Sequence, residues 1–213
     1  VEPSTRDRIL DAAERLFGEH GFAETSLRAI TTEAGANLAA VNYYFQSKDA
    51  LIQAVLGRRL GPVNQQRLAL LDQVEAQGGS GPLPLEGVLY AFLGPMIELA
   101  RSAPQFARVF GRIYADPGDL FGRVIREQFG VAKVRFLAAL RRALPRMPDA
   151  EIFWRMHFLI GAAAHTLAGQ HHLEAISDGL CDLKDTQGIL DRLVAFTAAG
   201  FRAPVLSGAP TCR

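Results

Sequence analysis

Apolar side chains at Ile9, Ala12, Ala13, Leu16 and Phe17 fall at three- and four-residue steps, which puts them on one face of a helix with about 3.6 residues per turn. Ser4 or Thr5 caps that helix, and the pattern carries it to about Glu19 before Gly21 stops it. Thr25 is placed to cap a second, short helix from Ser26 to about Glu33, with Leu27 and Ile30 inward. Gly35 supplies a turn, and Asn37 caps a third short helix that keeps only Val41 and Phe45 for the core. Ser47 caps a fourth, carrying Leu51, Ile52, Val55 and Leu56, which Gly61-Pro62 is expected to end.

Beyond Pro62 the apolar stripes lengthen. Helices are predicted over 63–77, 85–101 (kinked at Gly94-Pro95), 106–114, 120–144, 150–176 and 186–201. Gly78-Gly79-Ser80-Gly81-Pro82 and Asp116-Pro117-Gly118-Asp119 separate them as loops, and Pro145 and Pro148 close the 120–144 segment. No stretch alternates with period two for long enough to make a strand. The fold class is therefore all-α: a compact unit of short helices at 1–47 followed by a helix at 48–60, a larger helical part at 62–202, and a tail at 203–213.

Composition changes this picture little. Of 213 residues, 49% are hydrophobic, enough for a real core. Lys and Arg number 23 against 22 Asp and Glu, so any case for an anionic partner rests on where the charges sit. Cys181 and Cys212 are too few and too far apart for a disulfide framework or a metal site. A reducing, cytoplasmic setting fits, and the polar start (Glu2, Arg6, Asp7, Arg8) lacks a signal-peptide pattern. The most apolar run, 152–169, is interrupted by Arg155, His157 and His165 and is expected to be a core helix rather than a membrane span. His171-His172-x-Glu174 lacks the i, i+4 pair that places two imidazoles on one helix face, and neither a nucleophile elbow nor a phosphate-cradling glycine loop is present. No catalytic residue, metal or cofactor is assigned.

The third helix carries the chemistry. A helix that reads DNA offers small and polar side chains to base edges while inward residues pin it. Leu38, Ala39, Ala40, Asn42 and Tyr43 are left for the groove, with Asn42 suited to adenine and the alanines to a thymine methyl. Asn37, Tyr44 and Lys48 flank it as cap and phosphate contacts, and Thr25 and Arg28, beside the start of the second helix, are placed for a phosphate and a groove contact.

Residues 5–55 resemble the DNA-binding domain of the TetR family of bacterial transcriptional regulators. The resemblance is carried by Ile9, Ala12, Ala13, Leu16, Phe17, Gly21, Phe22, Thr25, Ser26, Ile30, Ala34, Gly35, Tyr44, Phe45, Ser47, Lys48 and Leu51, in order. Thr31 stands where the family commonly has alanine, and Leu38-Ala39-Ala40-Val41-Asn42 replaces a frequent Lys-Gly-Thr-Ile/Leu-Tyr, so the operator cannot be copied from a relative. The stretches 37–43 and 151–164 further resemble the PsrA-like subgroup. The family resemblance implies an N-terminal helix-turn-helix DNA-binding domain at 1–47 with a linker helix at 48–60, and a larger helical ligand-binding and dimerisation domain at 62–202. It also implies a homodimer on a palindromic operator of double-stranded DNA, usually a repressor released by a small ligand. The subgroup adds a long-chain fatty acid or acyl derivative as that ligand.

One short helix reads few base pairs, so specificity needs two copies about 34 Å apart. The wide apolar stripes of the last two helices, at 150–176 and 186–201, are the expected dimer surface. Phe92, Met96, Phe106, Phe110, Phe121, Phe129 and Trp154, with His157 and His165 as polar anchors, are the candidate lining of a pocket for the hydrophobic effector. Two other classes stand beside this one: a DNA-binding regulator controlled by a partner instead of a small molecule, and, more remotely, an enzyme with a helical head.

Overall fold

The computed structural model describes residues 2–115, 120–168 and 170–205. Within them run the helices α1 (Thr5–His20), α2 (Leu27–Glu33), α3 (Leu38–Phe45), α4 (Lys48–Gly78), α5 (Leu85–Ser102), α6 (Pro104–Ala115), α7 (Leu120–Gln128), α8 (Gly130–Ala143), α9 (Asp149–Ala168), α10 (Gln170–Ile176) and α11 (Thr186–Arg202). Among the described residues there is no strand. The predicted break at 116–119 and the end of the tail lie outside them, as do the side chains of Phe110, Tyr114, Phe121 and His171.

The predicted stop at Gly61-Pro62 is corrected, because α4 continues through Pro62 to Gly78. Proline deletes one backbone hydrogen bond. The buried stripe nevertheless persists on both sides, with Leu56, Leu60, Val63 and Leu71 all withdrawn from solvent, so packing holds the helix across the lost bond. The single helix expected at 120–144 is two helices, α7 and α8, separated at Phe129. Val124 of α7 is buried in the first of the two compact units described below and Phe136 of α8 in the second. The helix expected at 150–176 is described on either side of residue 169, as α9 and α10, and the apolar side chains Leu173 and Ile176 of α10 are exposed.

The chain folds into two compact units that do not follow chain order: residues 1–62 join 102–129, and 63–101 join 130–213. In the first unit α1 packs against α2, α3 and, most extensively, α6. Gly18 permits the α1–α6 approach, since a Cβ there would lie 3.2 Å from the Gln105 carbonyl oxygen. Arg112 of α6 donates to the carbonyls of Gly18 (3.1 Å) and Glu19 (2.8 Å), satisfying acceptors that the end of α1 leaves open.

Charge also ties α1 to α4. Glu14, almost completely buried, accepts from Arg58 Nη2 (2.7 Å) and from Arg59 Nη2 (3.0 Å), while Arg58 Nη1 also reaches Asp11 (2.6 Å). Burial works against the Arg58 charge, and the hydrogen bonds to Glu14 and Asp11 outweigh it, raising its pKa above the ordinary value.

The core of the second unit gathers Leu71, Leu89, Leu93, Phe136, Leu140, Ile152, Leu159, Leu190 and Phe201. Each such side chain contributes about 1.5–3 kcal/mol on burial. Two buried arginines are wired into this core. Arg155 Nη1 donates to the carbonyls of Gly200, Phe201 and Ala203, each at 2.8 Å, closing the end of α11. Arg67 donates to the Phe92 carbonyl (2.7 Å) and to Asn64 Oδ1 (3.2 Å) and lies over the Phe92 ring, 4.3 Å from its centroid. Burial lowers its pKa to about 9.

Candidate nucleic-acid interface

Local hydrogen bonds build the reading head. Ser26, not Thr25 as expected, is the N-cap of α2, its Oγ accepting from the Ala29 amide (3.1 Å). Thr25 is buried instead, and its hydroxyl donates to the carbonyls of Gly21 (2.6 Å) and Leu16 (3.2 Å). The phosphate contact assigned to its side chain is thereby corrected, since a hydroxyl spent on two backbone acceptors within the protein has no free donor for DNA. Thr25 clamps the α1–α2 turn.

Gly35 turns the chain with φ 57°, in the left-handed region that glycine enters without cost. Asn37 then caps α3, with Oδ1 accepting from the Ala40 amide (2.9 Å). Val41 and Phe45 are buried, as their spacing predicts, and hold α3 down. What stays outside is the opposite face: Leu38, Ala39, Asn42, Tyr43 and Tyr44 are exposed, and Ala40 is half-buried. Tyr43 reaches 80% exposure, which is high for so large a ring on a protein with no partner. The two tyrosines meet edge to face, 5.0 Å between centroids.

The exit from α3 is tight. Gln46 has φ 65° and ψ −35°, and the Ser47 amide donates to the Phe45 carbonyl at 2.7 Å, a γ-turn geometry that side-chain-bearing residues seldom adopt. Ser47 Oγ then accepts from the Ala50 amide (3.0 Å) and starts α4, with Lys48 in its first turn. Arg28, exposed at the start of α2, and Lys48, whose Nζ donates to the Ala23 carbonyl at 3.4 Å, bring cationic groups to the elements that flank α3.

The candidate ligand residues behave differently. Phe92 is half-buried against Phe136 (5.2 Å, 74°) and Met96 is buried, both in the second unit, whereas Phe106 and Phe129 are buried in the first. Trp154, His157 and His165 lie on the exposed side of α9 and do not line an interior cavity, because the inner side of that helix is taken by Ile152, Arg155 and Leu159. An open groove of about 700 Å³ runs between α5 and α11, lined by Tyr90, Val194, Ala195 and Ala199 with Glu86 and Arg202 at its rim. It includes none of the candidate ligand residues.

The outer faces of α9 and α11, helices packed on each other, expose large apolar groups: Phe153 (50%), Trp154 (53%), Phe158 (63%) and Phe196 (72%). Trp154 and Phe158 are stacked 5.9 Å apart. The sequence marks Trp154 as one of a set of large apolar side chains but not which way it points. The structural roles of Glu14, Arg67 and Arg155 are not legible in the sequence, since nothing local to a charged residue on a helix marks it as buried.

Two short helices joined by a glycine turn, the second pinned by two core residues and otherwise bare, define a helix-turn-helix DNA-binding protein. Residues 9–55 match the family described as bacterial regulatory proteins, tetR family, and residues 90–200 match the tetracyclin repressor-like C-terminal domain. The chain belongs to the TetR family of bacterial transcriptional regulators, DNA-binding proteins rather than enzymes.

Over 53 residues it is 42% identical to the probable HTH-type transcriptional regulator YttP of Bacillus subtilis, covering 25% of this chain and 26% of that protein. Over 55 residues it is 44% identical to the nicotine-responsive repressor HdnoR of Paenarthrobacter nicotinovorans, covering 26% and 28%. The match thus spans about a quarter of the length of these curated relatives. Solved structures share the fold over nearly the whole chain. SmeT, repressor of the Stenotrophomonas maltophilia multidrug efflux pump SmeDEF, superposes with a TM-score of 0.63 at 23% identity, covering 98% of both chains. FadR, a fatty acid degradation regulator from Bacillus halodurans, gives 0.63 at 14% identity, covering 92% and 99%. Among the described residues no helix is long and apolar enough to cross a membrane.

Proposed function

We propose that this chain is a homodimeric repressor that reads a palindromic operator with α3 and releases it when a small hydrophobic effector binds the helical C-terminal part. The observation that carries the DNA reading is the asymmetry of α3: Val41 and Phe45 are locked inward while Leu38, Ala39, Asn42 and Tyr43 face solvent. Asn42 is assigned to a base edge, with Leu38, Ala39, Ala40 and Tyr43 as groove contacts. Arg28 joins them from the start of α2, and Tyr44 and Lys48 hold the phosphates.

Dimerisation is assigned to the outer faces of α9 and α11. Four large rings half or more exposed on two adjacent helices are more than a free monomer surface normally carries. A second copy applying the same two helices would bury them in a four-helix interface. Trp154, His157 and His165 then belong to that interface or its edge.

The effector is proposed to be apolar, with a long-chain acyl compound as the first class to try. Phe92, which lies against both Phe136 and the buried Arg67, supplies an apolar surround beside a cation in the second unit, where Met96 is also buried. Support from relatives is general: SmeT has been solved in complex with triclosan, and FadR is a regulator of fatty acid degradation.

Selection of duplexes from a random pool, with and without fatty acids and their acyl thioesters, tests the assignment. Enrichment of a two-fold symmetric motif that one acyl compound abolishes is the expected result. Enrichment that no compound alters would leave a DNA-binding regulator without this effector class.

A further inference from the structure

The arginines of the reading head fall into two groups. Arg15 is bound to Glu19 and Glu33, Arg58 and Arg59 to Glu14, and Arg8 donates through Nε to the Ala34 carbonyl (3.1 Å) and further to Pro3 and Thr5. Their charges or donors are used within the protein. Arg6 is not used in this way: it is exposed, it has no carboxylate within ion-pair distance among the described residues, and its one specific contact is with an aromatic ring. That ring is Phe45, the last residue of α3, with the guanidinium carbon 5.6 Å from its centroid.

Arg6 and Arg8 together lay the first turn of α1 along α3, Arg8 at the α2–α3 turn and Arg6 at the α3 exit. The position does not serve the stability of α1. A cation in the first turn opposes the helix dipole, and the favourable residue there, Asp7, is already present and held by Ser4 Oγ at 2.6 Å. A helix lying in a major groove about 12 Å wide has a sugar–phosphate backbone along each flank. A guanidinium rooted beside the end of such a helix reaches phosphate rather than bases, and its planar donor fork suits two phosphate oxygens at once.

We infer that Arg6 is an additional DNA-backbone contact, oriented by the Phe45 ring and added from α1 to the set on α2, α3 and α4. This rests on α3 being the DNA-reading helix. The inference makes two predictions of opposite kind. Losing a phosphate contact reduces the steepness of log K against log salt by about 0.9, hence about 1.8 for a dimer losing one from each protomer. It leaves sequence preference unchanged. Removing a surplus cation from the first turn of α1 leaves folding stability unchanged or slightly higher.

The test is salt-dependent binding of full-length Arg6→Gln and Arg6→Lys to the selected operator duplex and to a random-sequence duplex, with thermal unfolding of each protein. Expected are a shallower salt slope on both duplexes for Arg6→Gln, a restored slope for Arg6→Lys, and an unfolding midpoint no lower than that of the wild type. A wild-type slope in Arg6→Gln, with or without a lowered midpoint, would assign Arg6 to packing on Phe45 and overturn the inference while leaving the DNA reading intact. Failure of the wild type to bind either duplex would overturn both.

Discussion

Glu14→Gln is the most revealing single change for the reading head. The substitution keeps shape and one acceptor oxygen but removes the negative charge that Arg58 and Arg59 share. Breaking a buried ion pair costs about 3–5 kcal/mol when the remaining partner is fully buried. Here the carboxylate is 3% exposed, but the two guanidinium side chains are 25% and 33% exposed and Arg58 keeps Asp11 at 2.6 Å. Water and Asp11 therefore offset part of the loss, and about 2–3 kcal/mol is expected. Urea unfolding at neutral pH measures it, with an unchanged m-value showing that the folded and unfolded states are otherwise alike. Because Glu14 joins α1 to α4, the variant should also lose operator affinity in a salt-independent way. A loss below about 0.5 kcal/mol, the range of ordinary surface substitutions, would refute the view that this buried cluster fixes α1 on α4.

Thr25→Val should cost about 1–2 kcal/mol by leaving the Gly21 carbonyl short of a donor, and should leave the salt slope of DNA binding unchanged. Asn42→Ala should relax preference at one base position per half-site, read by repeating the selection with the variant. Phe196→Asp combined with Phe158→Asp should give a monomer in sedimentation velocity that no longer protects both half-sites; a dimer of wild-type affinity would remove the α9–α11 surface from the account. Arg202 on α11 lowers the pKa of Glu86 on α5 through their paired hydrogen bonds. Their contribution is present above the usual carboxylate value near 4.5 and disappears as the pH falls through the lower folded value. Wild type and Glu86→Gln should therefore differ modestly in melting temperature at neutral pH and converge in acid.

The reading head was legible because its signals are local. Gly35, Asn37 and Ser47 each act within a few residues of themselves, and Val41 and Phe45 point inward on a helix whose register those caps fix. Thr25 and Ser26 are adjacent and chemically alike, so the sequence did not reveal which would cap α2 and which would turn inward. Pro62 misled for another reason: the bond it deletes is local, but the packing of Leu60 and Val63 that outweighs the loss is tertiary. Tertiary choice also explains why 102–129 joins the N-terminal helices, a pairing that depends on Gly18 and Arg112 meeting across about ninety residues. The outward turn of Trp154 and Phe158 was hidden because α9 is apolar on two sides, and periodicity does not say which side faces the chain's own core.

The central claim is that α3, presented twice by a dimer, reads a palindrome. Footprinting of the selected duplex by the purified full-length protein tests it most directly. The account predicts two protected half-sites whose centres are about 34 Å apart or a multiple of that, bound by a species with the mass of at least two chains. Protection of a single, asymmetric site by a monomer would contradict it.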